Sequence, residues 1–302
     1  MEYYQCMSEK SSIAIVSATD RAQGIKEAVE LLGINPAKGM SVFIKPNFNT
    51  ADPFPASTHP DTLEAIISLV KDMGPISITV GDRSGPADTE DVMKRLGIHD
   101  ICARHSAGLM NLEELPDNRW QRIRPEGSHW RDGFLFAKPV MEAGCVITTC
   151  CLKTHGFGGV FTMSLKLSIG AVHQDNMSEL HTSFRSMRSM IAEVNTAYSP
   201  ALIVMDAMEA FTDKGPMSGP QKHAGLIVAG ADRVALDAVG LAILKSLGSN
   251  RNIMDTPIYG QEQIVRAVEL GLGAPSPSVI ELLHTSTSAK WASDIRAILD
   301  RG

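Results

Sequence analysis

Short apolar runs alternate with amphipathic helical stretches along this chain, and that alternation restricts it to an α/β sheet. Residues 13–16 read as the first strand, and Ile25, Ala28, Val29 and Leu32 mark a helix face closed by Gly33. Further strands are expected at 42–44, 76–80, 145–149, 201–205 and 226–229. Helical stripes follow at Leu63, Ile66, Ile67 and Val70, and again at Leu180, Phe184, Met187, Ile191 and Val194. Asp232 is placed to cap a largely buried helix that stops at Gly248, and Gly271 stops a last one. Between 98 and 140 the period is lost, with Trp120 and Trp130 scattered among charges, which reads as an irregular insertion. No repeat and no Ser/Gly linker divides the chain. The expectation is a single α/β domain over 12–275: an open, mostly parallel sheet flanked by helices, with 276–302 as a C-terminal extension carrying a helix.

Charge and cysteine usage narrow the function classes. A formal net charge of -6 argues against nucleic acid as a partner, because displacing counterions from phosphates needs a basic footprint. The most apolar stretch, 234–247, is interrupted by Asp237 and Lys245, so no membrane span is expected. The first ten residues lack a basic segment leading into an apolar core, so no signal peptide is expected. The five cysteines (Cys6, Cys102, Cys145, Cys150 and Cys151) are odd in number and contain no C-x-x-C. Neither a disulfide framework nor an intrinsic ferredoxin-type iron–sulfur motif is expected, and a reducing, cytoplasmic setting fits. A homo-oligomer is compatible with all of this.

Ligands of open α/β sheets gather beyond the C-terminal ends of the strands. Four strand ends here carry polar groups: Lys45-Pro46-Asn47, Gly81-Asp82-Arg83, Lys153-Thr154-His155 and Asp206. The densest segment runs from Lys153 to His173. Gly156, Gly158 and Gly159 allow the backbone to approach a ligand and to present N–H groups to an anion. Thr162, Ser164 and Lys166 follow; a strand would put all three on one face, whereas a helix would align only Thr162 with Lys166. The segment is neither a Walker A sequence nor a G-x-G-x-x-G fingerprint, so a nucleotide is not indicated. His155 and His173 bracket the lysine, a placement that suits a transition metal, proton transfer or a buried hydrogen bond. His59-Pro60 reads as a helix cap or a third member of the site, and Asp237 as a buried, partnered acid.

At these residues the chain resembles the domain-of-unknown-function family numbered 362. The matching pieces are Ile44-Lys-Pro-Asn47, Thr58-His-Pro60, Leu152-Lys-Thr-His155, Ser164-Leu-Lys166 with Gly170, Met205-Asp-Ala207, Gly215-Pro216 with Gly219, and Val234-Ala-Leu-Asp237. That family carries no general activity, and its iron–sulfur members owe their clusters to added ferredoxin modules whose cysteines this chain lacks. A weaker similarity is to the nickel-dependent lactate racemase superfamily. Carried over, it implies His155 as acid/base, Lys166 as the attachment point of a cofactor and His173 as a metal ligand.

Two functions from different classes follow. The first is an enzyme acting on a small anionic, carboxylate-like molecule. Lys45, Lys153, Lys166 and the glycine loop would bind charge, His155 would move a proton, and Asp206 or Asp237 would set its state. Asn47, Thr162 and Ser164 would contact substrate or cofactor, and a transition metal would sit between His155 and His173. The second is a non-catalytic carrier or maturation protein holding a metal or cofactor for a partner in an anaerobic or redox pathway. A closed substrate space beside His155 and Lys166 separates them.

Overall fold

The computed structural model describes residues 10–301; Cys6 lies outside the described residues. Eleven strands are described: β1 (Ser11–Ser17), β2 (Ser41–Lys45), β3 (Ser77–Asp82), β4 (Gly108–Asn111), β5 (Trp120–Ile123), β6 (Phe134–Ala137), β7 (Cys145–His155), β8 (Val160–Thr162), β9 (Leu202–Phe211), β10 (Gln221–Gly230) and β11 (Ile280–His284). The main sheet runs β11-β1-β10-β9-β7-β2-β3-β4, with β8 paired to the far end of β7, while β5 and β6 form a separate two-stranded ribbon. The pairs β11–β1, β9–β7, β7–β2, β2–β3 and β3–β4 are parallel. β10 runs antiparallel to both its neighbours. The sheet is thus open and mostly parallel, as the alternation predicts.

Helices cover both faces. Arg21–Leu32 and Pro60–Asp72 pack on one, where Ile25, Ala28, Leu63, Ile66 and Ile67 meet Ile44, Val204 and Ile227. On the other face Arg233–Leu247 is buried from Arg233 to Leu244, caught between the sheet and an outer layer that includes Ala289–Leu299. Its start is fixed by Asp232, whose carboxylate accepts from the N–H groups of Val234 and Ala235. Gly33 closes the first helix at φ 64°, a conformation that costs a residue with a Cβ about 1 kcal/mol or more.

Three expectations about organisation change. Within 98–140, Ile98–His105 is a regular helix and β4 joins the main sheet, so the irregular part begins only after Asn111. Residues 276–302 are more than an extension, since β11 pairs in parallel with β1. The stripe from Leu180 to Val194 is two helices, Met177–Thr182 and Met187–Val194, because the chain turns at Ser183 and leaves Phe184 exposed.

β7 decides where the site forms. Its first half is a central parallel strand, but it continues beyond the end of β2 and pairs there with β8, Lys153 opposite Thr162 and His155 opposite Val160. All eleven of its residues are buried. Lys153 and His155 are two residues apart and so project to the same face, next to the ends of β2 and β3 that carry Lys45 and Asp82.

Candidate functional site

A cavity of about 470 Å³ opens at these strand ends. Lys45, Asn47, Lys153, His155, Thr162 and Lys166, six of the residues singled out in the sequence, line it together with Asp82 and Arg83. Its walls therefore carry four basic side chains against the single carboxylate of Asp82.

That carboxylate is committed to Lys45. Lys45 Nζ donates to Asp82 Oδ1 at 2.7 Å, and both side chains are buried. Asp82 also accepts from the N–H groups of Phe48 and Arg83, at 2.7 and 2.9 Å. Burial pushes Lys45 down and Asp82 up, and the pairing opposes both shifts. Gly170 is what lets them meet: a Cβ there would overlap Asp82 Oδ1 and lie 2.7 Å from Lys45 Nζ. Arg83 spends its guanidinium on the carbonyls of Val172, Ser84 and Ile169, tying the end of β3 to the loop beyond Lys166.

The remaining cations have no counter-charge. Lys153 Nζ donates to the Ala56 carbonyl and has no carboxylate partner among the described residues; burial lowers its pKa. Lys166, half-buried, has no protein partner for its ammonium among the described residues. Desolvation first, and then the charges of Lys153 and Arg83, bring it down to about 8. Thr162 is buried, and its hydroxyl, like those of Thr148 and Thr149, has no hydrogen-bond partner among the described residues. An unpaired ammonium at the wall of a cavity is costly unless something from outside satisfies it.

His155 is held differently from expectation. Its Nδ1 accepts from the N–H groups of Phe157 and Gly159, at 3.3 and 3.2 Å. The neutral ring must then carry its proton on Nε2, so it offers a donor rather than a lone pair. Desolvation, with Lys166 and Lys153 nearby, pushes its pKa down to about 2, so the ring stays neutral. The glycine loop serves this arrangement. The Gly156 N–H goes to the Gly215 carbonyl, those of Phe157 and Gly159 go to His155, and so the loop does not form the anion nest expected of it. A Cβ on Gly159 would lie 2.9 Å from His155 Nδ1 and 3.2 Å from Lys166 Cε, which is why the loop can pass there only as glycine. Gly156 and Gly158 face a second, more open cleft on the other side of the loop.

The structure does not bring the other expected residues to the cavity. Ser164 begins the short helix Ser164–Leu167, and its N–H donates to Asp237 Oδ1 while that of Leu165 donates to Oδ2. Asp237 is thus partnered by backbone and not by a lysine, and it fixes the turn from which Lys166 projects; burial raises it to about 7. Asp206 points to the opposite helical layer, like Val204 and Met208 along the same strand. There its carboxylate accepts from Arg21 Nε at 2.8 Å and Thr62 Oγ1 at 2.5 Å. His59 caps the helix Pro60–Asp72, with its Nδ1 accepting from the Asp61 N–H.

His173 also acts as a cap. Its Nδ1 accepts from the Asp175 N–H at 3.2 Å and its ring stands edge-on against Trp120. Both expected metal ligands therefore have Nδ1 occupied by backbone, leaving a protonated Nε2. Among the described residues no group of three or more His, Cys, Asp or Glu is placed to hold a metal ion. The residues do not fit a metal shared by His155 and His173. Replacing His173 with alanine is accordingly expected to change the affinity for any ligand of the cavity by no more than about twofold. Titration calorimetry on both proteins measures this, and a loss of binding would return His173 to the site.

Sequence reasoning picked out Gly215-Pro216 but missed the rest of the apolar lining: Phe157, Leu167, Ile169, Met177 and Met217. Gly215-Pro216 and Met217 come from the turn-rich stretch after β9, which carried a glycine signal but no chemistry. Cys102, Cys145, Cys150 and Cys151 are all buried free thiols. No described helix is long and apolar enough to cross a membrane.

A search of curated proteins returns no match. Among solved structures, the lactate racemase apoprotein from Thermoanaerobacterium thermosaccharolyticum is similar at 12% identity and a TM-score of 0.48, covering 93% of this chain and 85% of that one. The family described as Domain of unknown function (DUF362) matches residues 42–242, from β2 to the helix Arg233–Leu247 and well over half of the chain, and the chain belongs to that family.

Proposed function

We propose that this protein is an enzyme that binds a small carboxylate in the cavity and moves a proton on it. The observation that carries this reading is Lys166: an amine with no protein partner among the described residues, brought down to about 8, on the wall of a cavity whose one lining carboxylate is already paired with Lys45. A lysine lowered into that range is a competent general base near neutral pH. In the arrangement that uses the cations without a carboxylate partner, Lys153 at the end of β7 holds the substrate carboxylate. Lys166 takes a proton from the carbon next to the carboxylate of a 2-hydroxy acid, or next to the ketone of a 2-oxo acid; the C–H bond breaks, an N–H bond forms, and the electron pair passes to the oxygen of that carboxylate or ketone. His155, neutral and with its proton on Nε2, donates to that oxygen. Return of the proton completes the cycle with nothing consumed. Free thiols throughout the described core are in keeping with a cytoplasmic setting.

A cofactor carrier is the alternative. A cavity of substrate size beside His155 and Lys166 and the poor donor set for a metal both favour the enzyme. Incubation in deuterium oxide with a panel of carboxylates, from pyruvate to phenylpyruvate and their 2-hydroxy counterparts, tests the choice by proton NMR. Faster loss of the signal next to the carbonyl or carboxylate, abolished in Lys166→Ala, is the expected result. Tight binding with no exchange for any member would sink the enzymatic reading and favour the carrier.

A further inference from the structure

The cavity lining joins a buried polar group to an apolar wall. The charged and polar groups Lys45, Asp82, Arg83, Lys153 and Thr162 are all buried. Leu167 and Ile169 are equally buried but apolar. The less buried lining is mixed: Lys166, Asn49 and His181 are polar, whereas Met177 and Met217, half-buried, and Phe157, 62% exposed, form an apolar side. These residues belong to separate segments, the glycine loop, the start of the helix Met177–Thr182, and the turn after Pro216. Their convergence at one mouth is therefore a product of the fold and not of a local hydrophobic run. An exposed phenylalanine with two methionines beside it leaves apolar surface in water, which an apolar ligand body would cover, and methionine adapts to irregular shapes.

Size points the same way. A cavity of about 470 Å³ falls in the range that encloses ligands much larger than a three-carbon acid. A lactate-sized molecule at Lys153 would leave most of the apolar wall wet.

We infer that the ligand is an amphipathic monocarboxylate, with its carboxylate at the buried end and a hydrocarbon or aromatic body lying along Leu167, Ile169 and Met177 under Phe157 and Met217. The inference rests on the carboxylate reading above and adds the chemistry of the rest of the molecule. Phe157 then acts as a cover, standing edge-on to the His155 ring at 5.9 Å between centroids, so that a body beneath it also shields His155 from water.

Titration calorimetry of the full chain with acetate, butanoate, hexanoate, octanoate and 3-phenylpropanoate, and with octanol as a neutral counterpart, tests it. Affinity is expected to rise about two- to fourfold per added methylene, as burial of a CH₂ in a partly open site dictates. The slope should flatten in a Phe157→Ala/Met217→Ala variant, whose side chains are at least partly exposed and not needed for folding. Equal affinity for acetate and octanoate would overturn the amphipathic ligand while leaving the carboxylate site standing. Failure of every carboxylate to bind folded protein, or octanol binding as tightly as octanoate, would instead overturn the carboxylate reading beneath it.

Discussion

Lys166→Ala folds normally and loses about tenfold in carboxylate affinity, because Lys153 still holds the anion and only the attraction of the neighbouring charge is removed, and it loses all proton exchange. Lys166→Arg keeps much of the affinity but not the exchange, because a guanidinium holds an anion and does not give up its proton near neutral pH. The pH dependence has two arms with one origin. Binding of an unreactive carboxylate weakens above about pH 8, as the ammonium loses its charge. Exchange per unit of free enzyme instead rises to a plateau above the same pH, as the amine becomes available as a base. Both arms should vanish together in Lys166→Ala, measured by calorimetry and by NMR exchange rates across pH 6 to 10. A pH profile unchanged by the substitution would assign the titration to another group.

Stability gives an independent check with the opposite sign to that of a structural residue. Lys166 binds its proton less tightly when folded than its ordinary value of 10.5 implies. Between about 8 and 10.5 the unfolded chain holds more protons on this residue than the folded one, so folding gains stability as pH rises through that window. Below about 8 the charged amine is held in the fold at a cost. Lys166→Met is therefore expected to be more stable than the parent at pH 7, with the difference closing toward pH 10. A methionine variant that melts earlier than the parent at pH 7 would mark Lys166 as a structural lysine.

What the sequence made legible at the site was its charge, because cations at strand ends are unusual enough to stand out one by one. Lys45, Lys153, Thr162, His155 and Lys166 could be named and do converge. Their partners could not be read. Nothing local says that Asp82 reaches Lys45 while Asp206 turns to Arg21, since that depends on which face each strand end presents. The glycine loop misled for a related reason: free N–H groups were inferred from residue type, yet a side chain two and four residues away had already accepted two of them. The apolar lining was hidden because Leu167 and Ile169 look like core, and the cavity exists only once four segments meet. In the fold, the alternation gave the sheet and most of its helices. It missed β11 because a short edge strand near the end of the chain carries little periodic signal.

Asp82→Asn will cost about 3–5 kcal/mol, the loss expected when one partner of a buried ion pair is removed and the other is left in low dielectric. Gly170→Ala should fall in the same class, because its methyl group would enter the space that the pair occupies. The more telling comparison is between two double variants. Lys45→Met with Asp82→Asn removes both charges yet keeps one amide oxygen, which can accept from Phe48 N–H or Arg83 N–H but not both because they donate to different oxygens of Asp82, so only part of the loss should be recovered. Lys45→Met with Asp82→Leu removes the acceptor as well and strands those two buried donors, so it should remain well below the parent. Urea unfolding of the parent, the single variant and both pairs gives the four free energies. Equal recovery in the two pairs would mean that charge alone holds the ends of β2 and β3 together; no recovery in either would mean that the Lys45–Asp82 contact is not what Gly170 protects. The expected order places the carboxylate of Asp82 at the centre of the strand ends: it neutralises Lys45 and fixes the backbone on both sides, so that Lys153 and Lys166 remain the cations free to meet a ligand.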